Sequence, residues 1–129
     1  MDFAAGQRWT YRAPPGFEAS RIVIGAVVSF GAHDLVVCAA VSGVPRRHPD
    51  GRVETVNIAF LPFSQAAFEA TILIADGSDV PPPAFASEME HWASDPRGLS
   101  TFTVAFDGYL DKLIARQMAE IVGPAHRNV

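Results

Sequence analysis

The sequence predicts an α+β domain, a small and strongly bent antiparallel sheet followed by a C-terminal amphipathic helix. Three observations carry this. Arg21–Phe30 (RIVIGAVVSF) and residues 35–42 (LVVCAAVS) are β-branched and apolar on successive positions, with only the hairpin-length GAHD between them. Further short β-like runs follow at close spacing, which favours a meander over a parallel sheet. Leu110, Leu113, Ile114, Met118 and Ile121 then form one stripe opposite Asp111, Lys112, Arg116 and Glu120, the pattern of a helix laid on an apolar surface.

In chain order, residues 9–12 read as a short first strand closed by Pro14-Pro15-Gly16, where the prolines fix φ and the glycine admits a positive one. Arg21–Phe30 is the central strand, and Gly25 inside it marks a bulge or bend. Residues 31–34 are the hairpin loop, and residues 35–42 the third strand. A polar loop over 43–52 (GVPRRHPDGR) leads to a fourth strand, 53–60, which Pro62 ends. Ser64 is placed to cap a short helix over 65–70. A fifth strand over 71–75 stops at the turn DGSD, and Pro81, Pro82 and Pro83 make an extended connector.

Phe85, Met89 and Trp92 recur at i, i+4 and i+7, predicting a second short helix that ends by Asp95-Pro96. Residues 101–106 (TFTVAF) alternate as a sixth strand. The last helix is capped by Asp107 and stopped by Gly123-Pro124. Five to six strands in this length curl into an SH3-like half-barrel, with the C-terminal helix covering its open side and burying the stripe. No repeat or linker divides the chain, so residues 1–129 are expected to form a single domain.

Composition narrows the function classes. Apolar residues make up 49% and charged residues 19%, enough for a packed core and too apolar for general disorder. Residues 1–60 hold six arginines against five acidic groups, whereas residues 61–129 hold four basic against nine acidic groups. Such a chain offers no basic face for nucleic acid. Nine of its ten basic residues are Arg, the better residue for planar carboxylate or phosphate recognition, although a GC-rich coding sequence produces the same bias. The single cysteine, Cys38, lies in an apolar run and reads as a buried small hydrophobe, with no intrachain disulfide and a reducing compartment implied. The opening MDFAAG lacks a signal-peptide pattern and the aliphatic runs are too short for a membrane, so a cytoplasmic protein is expected.

The usual catalytic signatures are missing: no GxSxG, P-loop, GxGxxG or HExxH occurs. His33, His48, His91 and His126 are scattered without metal-ligand spacing, so no catalytic residue, metal or cofactor is assigned. His33-Asp34 sits in a turn that Asp favours anyway, Glu88 and His91 form a surface i, i+3 pair, and Asp76/Asp79 lack the ligand count of a calcium loop.

Two stretches remain as candidate binding regions. In the first, Trp9 and Tyr11 alternate with Arg8, Thr10 and Arg12 and point to one face, where they fill the core end of the sheet. Arg12, Glu18 and Arg21 can meet across the turn as an Arg–carboxylate–Arg brace, and the same cluster beside aromatic faces can hold an anionic or planar ligand. The second is the basic loop with Arg46, Arg47, His48 and Arg52, which reads as a solvated hairpin or as a secondary site for an acidic group.

The opening GQRWTYRAPPGFEASRIVI resembles the start of a family of small bacterial proteins without an assigned activity, with a pattern near GxxWxYRxxPGxExSxxxI. Their LPxSxxA and Trp-containing segments are echoed at residues 61–67 and around Trp92. Gly6, Trp9, Gly16, Glu18 and Arg21 also resemble the opening of MazF/PemK-type ribonuclease toxins, which implies an SH3-like barrel. The chain lacks the proline that follows the arginine in that family, and its acidic charge argues against RNA. The expected function is therefore a non-enzymatic small β-barrel module for binding a protein partner or for self-association. The alternatives are an endoribonuclease of toxin type, with Arg12, Glu18 and Arg21 at its site, and binding of an anionic small ligand.

Overall fold

The structure, a computed structural model, describes residues 2–30, 34–96 and 100–127. Apart from Asp34, the hairpin loop expected at 31–34, with His33, lies outside the described residues. Five strands, β1 (Gln7–Tyr11), β2 (Arg21–Phe30), β3 (Asp34–Arg47), β4 (Val53–Ser64) and β5 (Ile72–Ser78), form one sheet in the order β4-β3-β2-β1-β5. Every pairing between these strands is antiparallel, as hairpin connections require for β1 to β4, and β5 joins β1 from a distance in the chain. Among the described residues three helices accompany them: α1 (Gln65–Thr71), α2 (Ala84–Ala93) and α3 (Leu110–Arg127). The α+β class holds, the meander holds over β1–β4 while β5 crosses to pair with β1, and the sheet is not closed, because β4 and β5 are its two edges.

The central strands are buried on both faces, as their unbroken apolar runs predict. On one face Ile22, Ile24, Val37 and Val41 pack with Trp9, Tyr11, Phe63, Phe68, Phe106 and Leu113. On the other, Val36, Cys38 and Ala40 lie under Phe85, with Phe60, Met89 and Trp92 around it. The i, i+4, i+7 pattern of α2 is thus the face that covers half of the second side. Gly25 sits at a register shift between Ile24 and Ala26, the expected bulge.

Ser64 caps α1 by accepting from the Ala67 amide at 3.2 Å. The helix buries Ala67 and Phe68, and its last residue, Thr71, is a buried polar group with both needs met. Its hydroxyl donates to the Ala67 carbonyl at 2.8 Å and accepts from the Phe106 amide at 3.0 Å.

Several boundaries differ from the sequence reading. β1 begins at Gln7 and ends at Tyr11, before Arg12. The polar loop after the third strand is mostly strand: β3 runs on to Arg47, leaving a short turn in which Gly51 takes φ 89°. Pro62 does not end β4; it pairs with Cys38 inside it. β4 is an edge strand, where a missing N–H facing outward costs no ladder bond. β5 likewise runs through Asp76 and Gly77 to Ser78.

Residues 101–106 do not form a sixth strand. Phe102 makes one parallel bridge to Phe63, donating its amide to the Pro62 carbonyl at 2.8 Å and accepting from the Ser64 amide at 2.9 Å. The alternation there has another cause: Phe102, Val104 and Phe106 pack onto the first core as the chain crosses it.

The C-terminal helix is less covered than its stripe predicts. Leu113 is fully buried and Leu110 packs against the core, but Ile114 and Met118 remain 47% and 54% exposed. The Ile121 side chain lies outside the described residues. Asp107 does not cap the helix with its Oδ2, which accepts from Arg116 at 2.8 Å. Gly123-Pro124 does not stop it either, since α3 continues to Arg127. A helix passes a proline by giving up one backbone bond when nothing downstream demands a turn.

Candidate functional site

The residues of the opening stretch are dispersed. Trp9 and Tyr11 are core residues, 8% and 5% exposed, so neither presents an aromatic face to a ligand. Trp9 lies edge-on to Phe3, and Tyr11 stacks on Phe106 with ring centres 5.6 Å apart. The Tyr11 hydroxyl is 2.7 Å from Ser20 Oγ, and Ser20 hydrogen-bonds onward to the Ser42 carbonyl, tying the first hairpin to β3. Burial pushes the Tyr11 phenol above its ordinary value.

The Arg–carboxylate–Arg brace does not form. Arg12 is exposed and joins no ion pair among the described residues. Glu18 turns back to accept from the Gly16 amide at 3.0 Å, which holds its carboxyl below the ordinary range. Arg21 donates to the Glu18 and Ser20 carbonyls through Nη1, while its Nε meets Asp76 on β5 at 2.5 Å.

A different charged cluster therefore stands at this end of the sheet. Arg8 lies 3.6 Å from both Asp76 and Asp79 and donates to the Asp76 carbonyl, so two guanidinium groups meet two carboxylates across β1, β2 and β5. The Arg21 hydrogen bond lowers the Asp76 pKa from its ordinary 3.8. Beside the cluster, a hollow of about 360 Å³ opens over Val23, Ala40, Ser42 and Asn57, the part of the second face that α2 leaves uncovered. Arg8, Asp76 and Asp79 were not legible as partners because two of them sit in what reads as a surface turn.

The basic loop is a hairpin end with its charges partly answered. His48 Nε2 is 2.7 Å from Glu54 Oε2, and Arg52 Nε donates to Asp50 at 2.7 Å. Asp50 is held below its ordinary value by the Arg52 amide and side chain. Arg46 and Arg47 stand in register with Glu54 and Val53 and are exposed without an ion pair among the described residues. His48 and Arg52 thus have acidic neighbours at the hairpin end, while Arg46 and Arg47 lie on β3.

Those two arginines border a hollow. A groove of about 610 Å³ runs along β4 between α2 and α3, lined by Val56, Ile58, Phe60, Leu110 and Ile114, with Arg46 and Arg47 at one end and Glu88 and Asp111 on the helices. Along it lie residues 56–60 of β4, a strand that pairs with β3 on its inner side and over 53–59 has no strand partner outside among the described residues. Beyond it, from Pro62 onward, the edge is closed by Phe102. The outward backbone donors and acceptors of 56–59 therefore lie beside an apolar trough flanked by two helices.

Among the described residues no cluster of His, Cys, Asp or Glu is arranged to hold a metal ion, and no helix is long and apolar enough to cross a membrane. In comparisons with known proteins, no family model matches the chain, and no curated protein or solved structure matches it.

Proposed function

We propose that this chain is a non-enzymatic interaction module of SH3-like half-barrel form that docks an extended protein segment along the free edge of β4. The half-barrel is supported by α1. A flat sheet would hold β4 and β5 about 19 Å apart, four spacings of about 4.8 Å. The seven residues of α1, which lead directly from β4 into β5, span only about 10 Å. The two edges must approach one another at that end, as in a bent, partly closed sheet.

The observation that carries the docking reading is the unpaired run 53–59 of β4, whose residues 56–59 line the groove between α2 and α3. A strand added there gains backbone hydrogen bonds from β4 and apolar contacts from Val56, Ile58, Leu110 and Ile114. Selection of displayed peptides on the immobilised protein tests it. Binders are expected that lose affinity for Ile114→Asp and keep it for Leu73→Asp on β5. Binders indifferent to Ile114→Asp contradict the site.

The same preparations test the enzymatic alternative. Arg21 and Glu18 are occupied by Asp76 and the Gly16 amide, so single-stranded RNA incubated with the protein is expected to remain intact. RNA cleavage abolished by Arg21→Ala would contradict the module. Arg8 and Arg21 beside the smaller hollow favour an anionic ligand only weakly, because Asp76 and Asp79 already neutralise them.

A further inference from the structure

Resting on the docking reading above, we infer that the segment docked on β4 is β4 of a second copy of this chain, antiparallel about a two-fold axis near Val56. The charge pattern of the groove points to this partner. Arg46 and Arg47 mark the end of the groove where β4 begins, in register with Glu54 and Val53. Glu88 of α2 lines the groove beside Phe60, whose ring packs 5.5 Å from Phe85 of the same helix, so Glu88 marks the opposite end.

A two-fold axis across β4 reverses the strand, so the arginine end of each copy meets the Glu88 end of the other. Arg46 and Arg47 are adjacent in a strand and project to opposite faces, which places one of them on the side of the sheet that carries α2. Arg46, Arg47 and Glu88 are all exposed and have no ion pair among the described residues, although Asp111 of the same chain lines the groove with Arg47, so pairing between copies gives partners to charges that the single chain leaves without an ion pair.

The two edges of the sheet are also treated differently. Both edge strands have two register shifts against their inner neighbours, and β5 carries in addition Asp76 near its middle, a charge that blunts an edge against pairing. Residues 55–59 of β4 (TVNIA) carry no charge and no proline, so neither of those devices blocks a partner along this edge. Pairing also brings α3 of each copy alongside the other and covers Ile114 and Met118, which are otherwise exposed. An isologous contact of this kind closes on itself and leaves no further edge to extend.

Sedimentation equilibrium of the wild-type protein and its charge variants tests the pairing. The wild type is expected to dimerise, with Glu88→Arg and the double change Arg46→Glu/Arg47→Glu each weakening the dimer about tenfold, because every dimer contains the contact twice. Combining the two sets is expected to restore the dimer, and Leu73→Asp to leave it unchanged. Circular dichroism confirms that these exposed substitutions leave the fold intact. A dimer insensitive to the single swaps, or one not restored by combining them, overturns the inference. A wild type that stays monomeric also overturns it. In that case, selected peptides that still need Ile114 leave the docking reading standing, and their absence removes both.

Discussion

The ring of Phe85 occupies the space where a side chain at Gly25 would begin: a Cβ on Gly25 would lie 2.3 Å from Phe85 Cζ. The bulge in β2 and the placement of α2 are therefore one feature. Gly25 leaves a dent in the second face of the sheet, and Phe85 fills it, bringing Met89 and Trp92 over Cys38 and Phe60. This docking builds one wall of the β4 groove.

Gly25→Ala is expected to destabilise the protein by about 1–3 kcal/mol, because the ring must leave its place or the strand must shift. Urea denaturation checks this. The wild-type midpoint in Gly25→Ala would mean that α2 is not seated on the sheet.

Cys38 reports on the same contact. It is fully buried beneath α2, and burial pushes its thiol up to about 12, so almost no thiolate is present at neutral pH. A thiol reagent is expected to label it slowly in the native protein and rapidly in denaturant, with Phe85→Ala intermediate. Rapid labelling of the native wild type would contradict the two-sided burial of β3.

The two halves of the α3 stripe should respond differently to charge. Leu113→Asp places a carboxylate in the first core and is expected to cost about 3 kcal/mol or more, unfolding the protein or driving it to aggregate. Ile114→Asp is expected to leave the stability of the single chain within about 0.5 kcal/mol, since that side chain is largely exposed. Melts of the two variants at low concentration check this, and equal losses would mean that both residues are buried.

The Arg21–Asp76 pair makes stability depend on acid. The Asp76 pKa is lower in the folded chain than its ordinary 3.8, so the pairing stabilises fully above 3.8 and is lost as pH falls through the depressed folded value. Asp76→Asn is therefore expected to lower the melting temperature at neutral pH, with the gap to wild type closing below pH 3.8. Glu18→Gln, which loses only a bond to the Gly16 amide at an exposed turn, should change it less than Arg21→Ala does. A gap that persists unchanged in acid would contradict the ion pair.

The core of the fold was legible because its signals are local. Unbroken apolar runs marked β2 and β3, Gly25 marked the bulge, Ser64 the helix cap, and the spacing of Phe85, Met89 and Trp92 the covering helix. Where the sequence reading went astray, the deciding contact was distant. Pro62 stays in β4 because that strand is an edge, and the phenylalanines of 101–106 alternate to reach a core rather than a ladder. The carboxylate for Arg21 comes from β5 rather than its own turn. The groove was invisible for the same reason: Ile58, Leu110 and Glu88 are far apart in sequence, and only the strand order brings them to one edge.

Amide hydrogen exchange resolved along β4 tests the central claim most directly. With the docked partner present, whether selected peptide or second copy, exchange over residues 53–59 is expected to slow at positions whose amides point away from β3, with the outward-facing amides of β5 unchanged. Unchanged exchange along 53–59 while a partner is bound, or protection confined to β5, would contradict β4 as the docking strand.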